Sequence, residues 1–196
     1  MRNPYLERFE EVMRRPRPAI PDLSLLTARH ELVTEFAWAV PNEAALAALA
    51  ALSPILEIGA GSGYWAWLLR ERGAVVHACD VTVGAGNNWG HRKTWTRVDE
   101  GDETTVDEHP ECTLFLCWPP GGVLAAAAVR RYRGARVAYV GEGCGGSTAT
   151  PEFFDELERH WVEVQQVDIP RWEGMRDALH VYRRRVSDVT EGALTA

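Results

Sequence analysis

Three glycines alternate with small or apolar residues in Glu57-Ile58-Gly59-Ala60-Gly61-Ser62-Gly63. Without a Cβ, such positions allow a sharp turn and let a ligand come up against bare backbone. An apolar run that reads as a strand precedes the turn, and an amphipathic helical stretch follows it. A helix begun there directs unpaired N–H groups and the positive end of its dipole into the turn, where a carboxylate or phosphate can bind. The next apolar run ends His77-Ala78-Cys79-Asp80, and Asp80 stands 21 residues after Gly59. That is the strand–turn–helix–strand distance of about 20 residues expected of a nucleotide-binding unit, in which the acid accepts hydrogen bonds from both hydroxyls of a ribose.

The glycine spacing bears on which ligand. The dinucleotide pattern Gly-x-Gly-x-x-Gly/Ala fails from Gly59, where Tyr64 takes the sixth position, and is formally met from Gly61, where Ala66 does. Glu57-x-Gly59-x-Gly61-x-Gly63 is the better description. Elsewhere, Glu142 follows a predicted strand and precedes Gly143-Cys144-Gly145-Gly146-Ser147. It either receives a substrate proton or binds a substrate amine, or it faces solvent. His91 lies in the loop after Asp80, as a base or as a surface residue. Of the eight tryptophans, Trp65, Trp89 and Trp118 fall near the crevice, where aromatic faces can line a cation. Cys79, Cys112, Cys117 and Cys144 form no Cys-x-x-Cys pair, and no His/Cys group has zinc spacing in the sequence, so free thiols and no metal are expected.

These residues need a framework. The first fifty read as helical, with helices over 2–15, 24–39 and 43–51, a break at Pro16, Pro18 and Pro21, Ser24 as one N-cap and Asn42 as another. From Pro54 short β-rich runs alternate with helical ones. Strands are predicted at 55–58, 74–79, 95–98, 114–118, 136–140, 161–169 and 178–183, and helices at 62–72, 123–132 and 151–160. Alternation of this kind implies a doubly wound, mostly parallel seven-stranded sheet covered on both faces. No helix fits between the last two strands, so the sheet should end in an antiparallel hairpin. The expected organisation is a helical cap (1–52), a Rossmann-like domain (53–185) and a tail (186–196).

Composition narrows the partners. At 46% hydrophobic residues the chain can bury a core, and 28 acidic against 21 basic residues give a net charge of −7. That balance argues against a nucleic-acid partner, whose binders carry a basic face. The apolar stretch 44–52 is too short to span a bilayer, and no charged start leads into a signal-like apolar core. A cytoplasmic protein acting on a small molecule or peptide is the expectation.

The loop Glu57–Gly63, Asp80 and the closing hairpin together resemble class I S-adenosylmethionine-dependent methyltransferases, over residues 54 to about 184. The resemblance implies S-adenosylmethionine as cofactor, held by Glu57, Gly59, Ala60, Gly61, Gly63, Asp80 and Cys117, with an acid after the third strand on the adenine: Asp102, with Asp99 as competitor. The run Cys117-Trp118-Pro119-Pro120 is similar to the Pro-Pro motif of amino-methylating members, in which Asp, Asn or Ser precedes the prolines. Here Trp118 stands there and accepts no hydrogen bond from an amine, leaving backbone carbonyls near Cys117 to do so and Trp118 to form a wall, or simply a rigid turn. Trp118 and Glu142 are the candidates at the reacting end. With Phe36-Ala37-Trp38-Ala39-Val40-Pro41-Asn42 and Val140-Gly141-Glu142-Gly143, the chain looks like an actinobacterial-type methyltransferase group, which implies natural-product tailoring. Two other readings stay open: a nicotinamide-dependent oxidoreductase, for which a Tyr-x-x-x-Lys pair is missing because Lys93 is the sole lysine, and a non-catalytic S-adenosylmethionine-binding protein.

Overall fold

The computed structural model describes residues 2–15, 23–84 and 90–186. Its strands are β1 (Ile55–Ile58), β2 (Val76–Asp80), β3 (Asp99–Glu100), β4 (Thr113–Cys117), β5 (Arg136–Gly141), β6 (Trp161–Asp168) and β7 (Ala178–Arg184), in the sheet order β3-β2-β1-β4-β5-β7-β6. Strands β1 to β5 pair in parallel, and β7 runs antiparallel to both β5 and β6. The helices are α1 (Pro4–Met13), α2 (Leu23–Glu35), α3 (Glu43–Ala50), α4 (Tyr64–Arg70), α5 (Leu124–Arg131) and α6 (Pro151–His160), with a 3-10 helix at Glu103–Asp107. None of them is long and apolar enough to cross a membrane.

Side chains alternate across the sheet with period two. Leu56, Ile58, Leu114, Leu116, Val137 and Tyr139 pack against Ala125, Val129, Phe153 and Leu157 of α5 and α6. Ile55, Phe115, Ala138, Val140 and Leu179 face the other way, onto Tyr5, Phe36, Leu46, Leu49, Tyr64, Trp65 and Leu68. Helices α1 and α3 thus contribute to the same core as the sheet. Glu57 shares the face of Ile55 and so points among apolar groups under α4. Asn3 and Asn42 cap α1 and α3, their side chains accepting from Leu6 N at 3.1 Å and Ala45 N at 2.9 Å.

Three differences from the sequence reading bear on the site. The third strand is Asp99–Glu100, paired with Cys79 and Asp80, not residues 95–98. Trp95 is used for packing instead: its ring stacks on Phe36 with centroids 5.2 Å apart, and its Nε1–H donates to the Glu35 carbonyl at 2.8 Å. Helix α2 begins at Leu23, which puts Ser24 inside its first turn, and stops at Glu35; the Phe36 carbonyl just after it accepts the Ser62 hydroxyl. Helix α4 starts at Tyr64, two residues later than expected, because Gly63 takes a left-handed conformation with φ 72°. The proline break at 16–21, Trp89 and the tail beyond 186 lie outside the described residues.

Strand order reverses direction at β1 and β4: the chain leaves β1 toward β2 on one side and returns to β4 on the other. In open α/β sheets, ligands bind beyond the carboxyl ends of the strands at such a point.

Candidate functional site

A cavity of about 390 Å3 opens at that switch point. On one side it is lined by Glu57, Gly59, Ala60, Gly61, Ser62, Asp80 and His91; opposite stand Trp38, Cys117, Trp118, Pro119 and Pro120. The chain ends of β1, β2 and β4 therefore meet there, as the sequence spacing requires.

Glu57 is only 1% exposed, and its Oε2 is a buried oxygen without a hydrogen-bond partner. Burial pushes its carboxyl up to about 8, against the pull of Arg70 and the Ala66 amide. With no partner inside the protein, this oxygen is fitted to meet a cationic donor from the cavity, which would draw the carboxyl back to its ionised form. Asp80 is equally buried and already organises the turn. Its Oδ2 accepts from Gly61 N at 2.8 Å and its Oδ1 from Thr82 N at 3.0 Å. An ionised carboxylate has about four acceptor sites, so two remain for a ligand.

Some of the amides that a helix start was expected to leave open are used inside the protein. Asp80 takes the Gly61 N–H, the Ser62 hydroxyl the Tyr64 N–H at 3.2 Å, and Glu57 the Ala66 N–H. The three glycines also have different duties. Gly59 has φ 75°, and a Cβ there would meet nothing within 4 Å; its N–H donates to the Cys79 carbonyl at 2.9 Å, so it offers the cavity space for close approach and not a free amide. At Gly61, φ 55°, a Cβ would lie 2.8 Å from His91 Nε2. At Gly63 it would lie 2.8 Å from Val98 Cγ2, so that glycine accommodates the 96–98 segment and is not part of the cavity wall.

The opposite wall is aromatic. Trp38 and Trp118 stack with centroids 4.9 Å apart and an interplanar angle of 11°. Trp118 has φ 53°, a left-handed conformation that costs a bulky residue roughly 1 kcal/mol or more. Two bonds hold it there: its N–H donates to the Val140 carbonyl at 2.7 Å, and its Nε1–H to Asp177 Oδ1 at 2.8 Å. The Arg29 guanidinium lies 5.8 Å from both indole rings. Burial raises the Asp177 carboxyl to about 6, although the Trp118 hydrogen bond opposes this. The Cys117 thiol lines the cavity, and burial holds it well above its ordinary value, hence protonated.

Two acids fall elsewhere. Glu142 does not line the cavity: its Oε2 accepts from Ser147 N at 2.8 Å and its Oε1 from Arg176 N at 2.9 Å. Burial would raise its carboxyl, but these amides outweigh burial and hold it below its usual range. It ties two loops together, which corrects the expectation that it takes a substrate proton. Asp102 is turned into its own 3-10 helix, accepting from Thr104 N at 2.8 Å and Thr104 Oγ1 at 2.6 Å, and Asp99 pairs with Arg97 at 2.7 Å on the surface. Neither lines the cavity.

Sequence reasoning missed Trp38 and Asp177 and left His91 undecided. His91 is 3% exposed and packs on Gly61; burial holds its imidazole below the ordinary value, against backbone contacts with Thr34 and Val33. The signals were weak: Trp38 sits in a run that reads as helix end, and Asp177 in a hairpin connection.

Neither a protein-family model nor a curated protein sequence matches the chain. Solved structures do share its fold. Magnesium protoporphyrin IX methyltransferase from Synechocystis PCC 6803, with SAH bound, superposes with a TM-score of 0.53 at 11% identity, over 92% of this chain and 94% of that one. The same enzyme with SAM bound gives 0.50 at 11% identity, over 92% and 91%. The 1,6-didemethyltoxoflavin-N1-methyltransferase from Burkholderia thailandensis matches at TM-score 0.48 and 18% identity, over 87% and 92%. The fold is therefore that of the class I methyltransferases, a Rossmann-like sheet closed by an antiparallel hairpin.

Proposed function

We propose that the chain is an S-adenosylmethionine-dependent methyltransferase whose cofactor lies in the cavity at the ends of β1, β2 and β4. One observation carries the reading: the partnerless buried oxygen of Glu57 shares that cavity with the Asp80 carboxylate and the open space beside Gly59. A ligand with an ammonium group at one end and a ribose at the other satisfies both carboxyls and fits the space left beside Gly59. Glu57 would take the ammonium, Asp80 the ribose hydroxyls, and Gly59, Ala60 and Gly61 would give the close backbone approach. Bound there, the cofactor supplies a methyl group already activated on a sulfonium.

What the protein must add is positioning, which supplies much of the rate in a transfer between preactivated partners. Trp38 and Trp118 form a flat wall for the acceptor, and the protonated Cys117 thiol offers no competing anion. The segment 1–52 would act as the cap on the acceptor side, since Ala37 and Trp38 just before α3 reach the cavity, while 53–185 would carry the cofactor side. A net charge of −7 favours a small-molecule or peptide acceptor over nucleic acid. The four free thiols suit a reducing cytoplasm, and the resemblance to the actinobacterial-type group points to natural-product tailoring.

Calorimetry with S-adenosylmethionine, S-adenosylhomocysteine and NAD tests the reading. The first two should bind in preference to NAD. Tighter NAD binding would return the oxidoreductase alternative, and binding without turnover across a broad panel of acceptors would favour a non-catalytic protein.

A further inference from the structure

His109, Glu111 and Cys112 stand just before β4, and His77 is 32 residues upstream in β2. That separation hides them from any spacing rule, yet the fold brings them together. One donor atom from each of His77, His109 and Cys112 lies within 4.8 Å of the other two. The two imidazoles stack with centroids 4.6 Å apart. Glu111 Oε1 is 3.6 Å from His109 Nδ1 and accepts from Cys112 Sγ at 3.4 Å.

The backbone presenting these groups is fixed. A turn in which Cys112 N–H donates to the His109 carbonyl at 3.2 Å sets both residues close together, three positions apart. The Cys112 carbonyl in turn accepts the Tyr132 hydroxyl, and the Pro110 carbonyl packs so tightly on Gly134 that a Cβ there would lie 2.5 Å from it. Cys112 is buried, His109 half-buried and His77 exposed, so the cluster has a closed floor and an open side.

We propose that His77, His109 and Cys112, with Glu111 as a fourth group, form a binding site for a divalent transition metal of the zinc class. Two imidazoles and a thiolate suit zinc or cobalt and not magnesium or calcium, which take oxygen ligands. Zinc bond lengths of about 2.0–2.3 Å place tetrahedral donors about 3.5 Å apart, so the cluster must contract by roughly 1 Å. The exposed ring of His77 is free to make that movement. Binding breaks the Cys112 S–H bond and forms an S–metal bond, the proton passing to solvent. The site lies at the amino end of β4, about 17 Å along the strand from Cys117 in the cavity. A metal there would tie β2 to the turn before β4 without touching the acceptor.

The test is titration of the chelator-treated full chain with Co2+. One equivalent should produce a thiolate-to-cobalt charge-transfer band with the visible bands of tetrahedral cobalt, and Zn2+ should displace it. Calorimetry in two buffers should show about one proton released per metal ion. Cys112→Ser should remove the charge-transfer band. Because Cys112 is buried, that variant can misfold; His77→Ala, at an exposed position, should keep its circular dichroism and still lose roughly a hundredfold in affinity. Cys144→Ser should change nothing. The site is disproved by the absence of stoichiometric binding, by cobalt spectra that survive in both His77→Ala and Cys112→Ser, or by a band that disappears with Cys144→Ser.

Discussion

The Trp118 indole donates its Nε1–H to the Asp177 carboxylate across 2.8 Å, joining the aromatic wall of the cavity to the connection between β6 and β7. The bond meets two needs at once. It satisfies a buried acid, and it holds an indole whose backbone is in a left-handed conformation. The closing hairpin thereby acts directly on the shape of the cavity.

Trp118→Phe keeps the ring and removes the donor, leaving Asp177 buried without that partner. The expected cost is about 1–3 kcal/mol, and at about 2–4 °C per kcal/mol in a chain of this size the melting temperature should fall accordingly. Turnover should fall further than cofactor affinity if the wall faces the acceptor as proposed. A variant with unchanged melting and unchanged turnover would remove Trp118 from both roles.

Asp177 also sets a pH dependence. Burial raises its folded-state carboxyl from the ordinary aspartate value of 3.8 to about 6. The stability it contributes is complete below about 3.8 and lost as pH rises through about 6. Asp177→Asn, which still accepts the indole N–H, should be spared this loss. Relative to the variant, the native chain should weaken by an amount on the order of 2 kcal/mol between pH 4 and 7. Parallel stability curves for the two proteins would contradict the assignment.

Much of this framework was legible because its signals are local. Alternating apolar runs marked six of the seven strands, Asn42 marked the start of α3, and the spacing from Gly59 to Asp80 placed both at one sheet edge. What was not legible depends on contacts distant in the chain. Strand β3 is two acidic residues paired to the end of β2, while the aromatic segment before it, which looked like a strand, packs Trp95 onto Phe36. Gly63 reads like Gly59, and the packing of Val98 and Thr96 against it separates their roles. Glu142 sits in the right place along the chain, but one backbone amide from its own loop and one from the connection between β6 and β7 hold its carboxylate outside the cavity lining. Asp177 has no pattern around it, since its partner is 59 residues away.

Glu57 gives a prediction about binding. Its carboxyl, near 8, is mostly protonated at neutral pH in the free protein, and an ammonium group placed against it would stabilise the ionised form. Binding of S-adenosylhomocysteine should therefore release close to one proton at pH 7, and affinity should rise up to tenfold per pH unit between about 6 and 7.5. Glu57→Gln should lose both effects. Equal proton release in the variant would place the ammonium elsewhere.

Gly61→Ala should weaken cofactor binding at least tenfold, for a reason visible in the cavity: the added Cβ meets His91 Nε2 at 2.8 Å in a backbone conformation, φ 55°, that alanine resists. If the collision with His91 dominates, adding His91→Ala should restore part of the affinity, which a double-mutant cycle would measure. No recovery would assign the whole effect to the backbone.

The last prediction separates two jobs that Asp80 does with one carboxylate. It holds the turn through Gly61 N and Thr82 N, and it is the proposed partner of the ribose. Loss of the side chain removes both, so Asp80→Ala should lower the melting temperature as well as weaken S-adenosylhomocysteine binding by about 30-fold to 1,000-fold, or ~2–4 kcal/mol. That result alone would not show which job matters to the ligand. The ligand itself can be altered to find out. Against the native protein, the 2′-deoxy analogue of S-adenosylhomocysteine should bind at least tenfold more weakly, since the carboxylate loses one of its charge-assisted hydrogen bonds. Against Asp80→Ala, the two ligands should bind alike, because the group that distinguished them is gone. A coupling of this kind reports the ribose contact whatever happens to the turn. If the analogue is discriminated equally by both proteins, Asp80 serves only to shape the turn, and the ribose is held by another group.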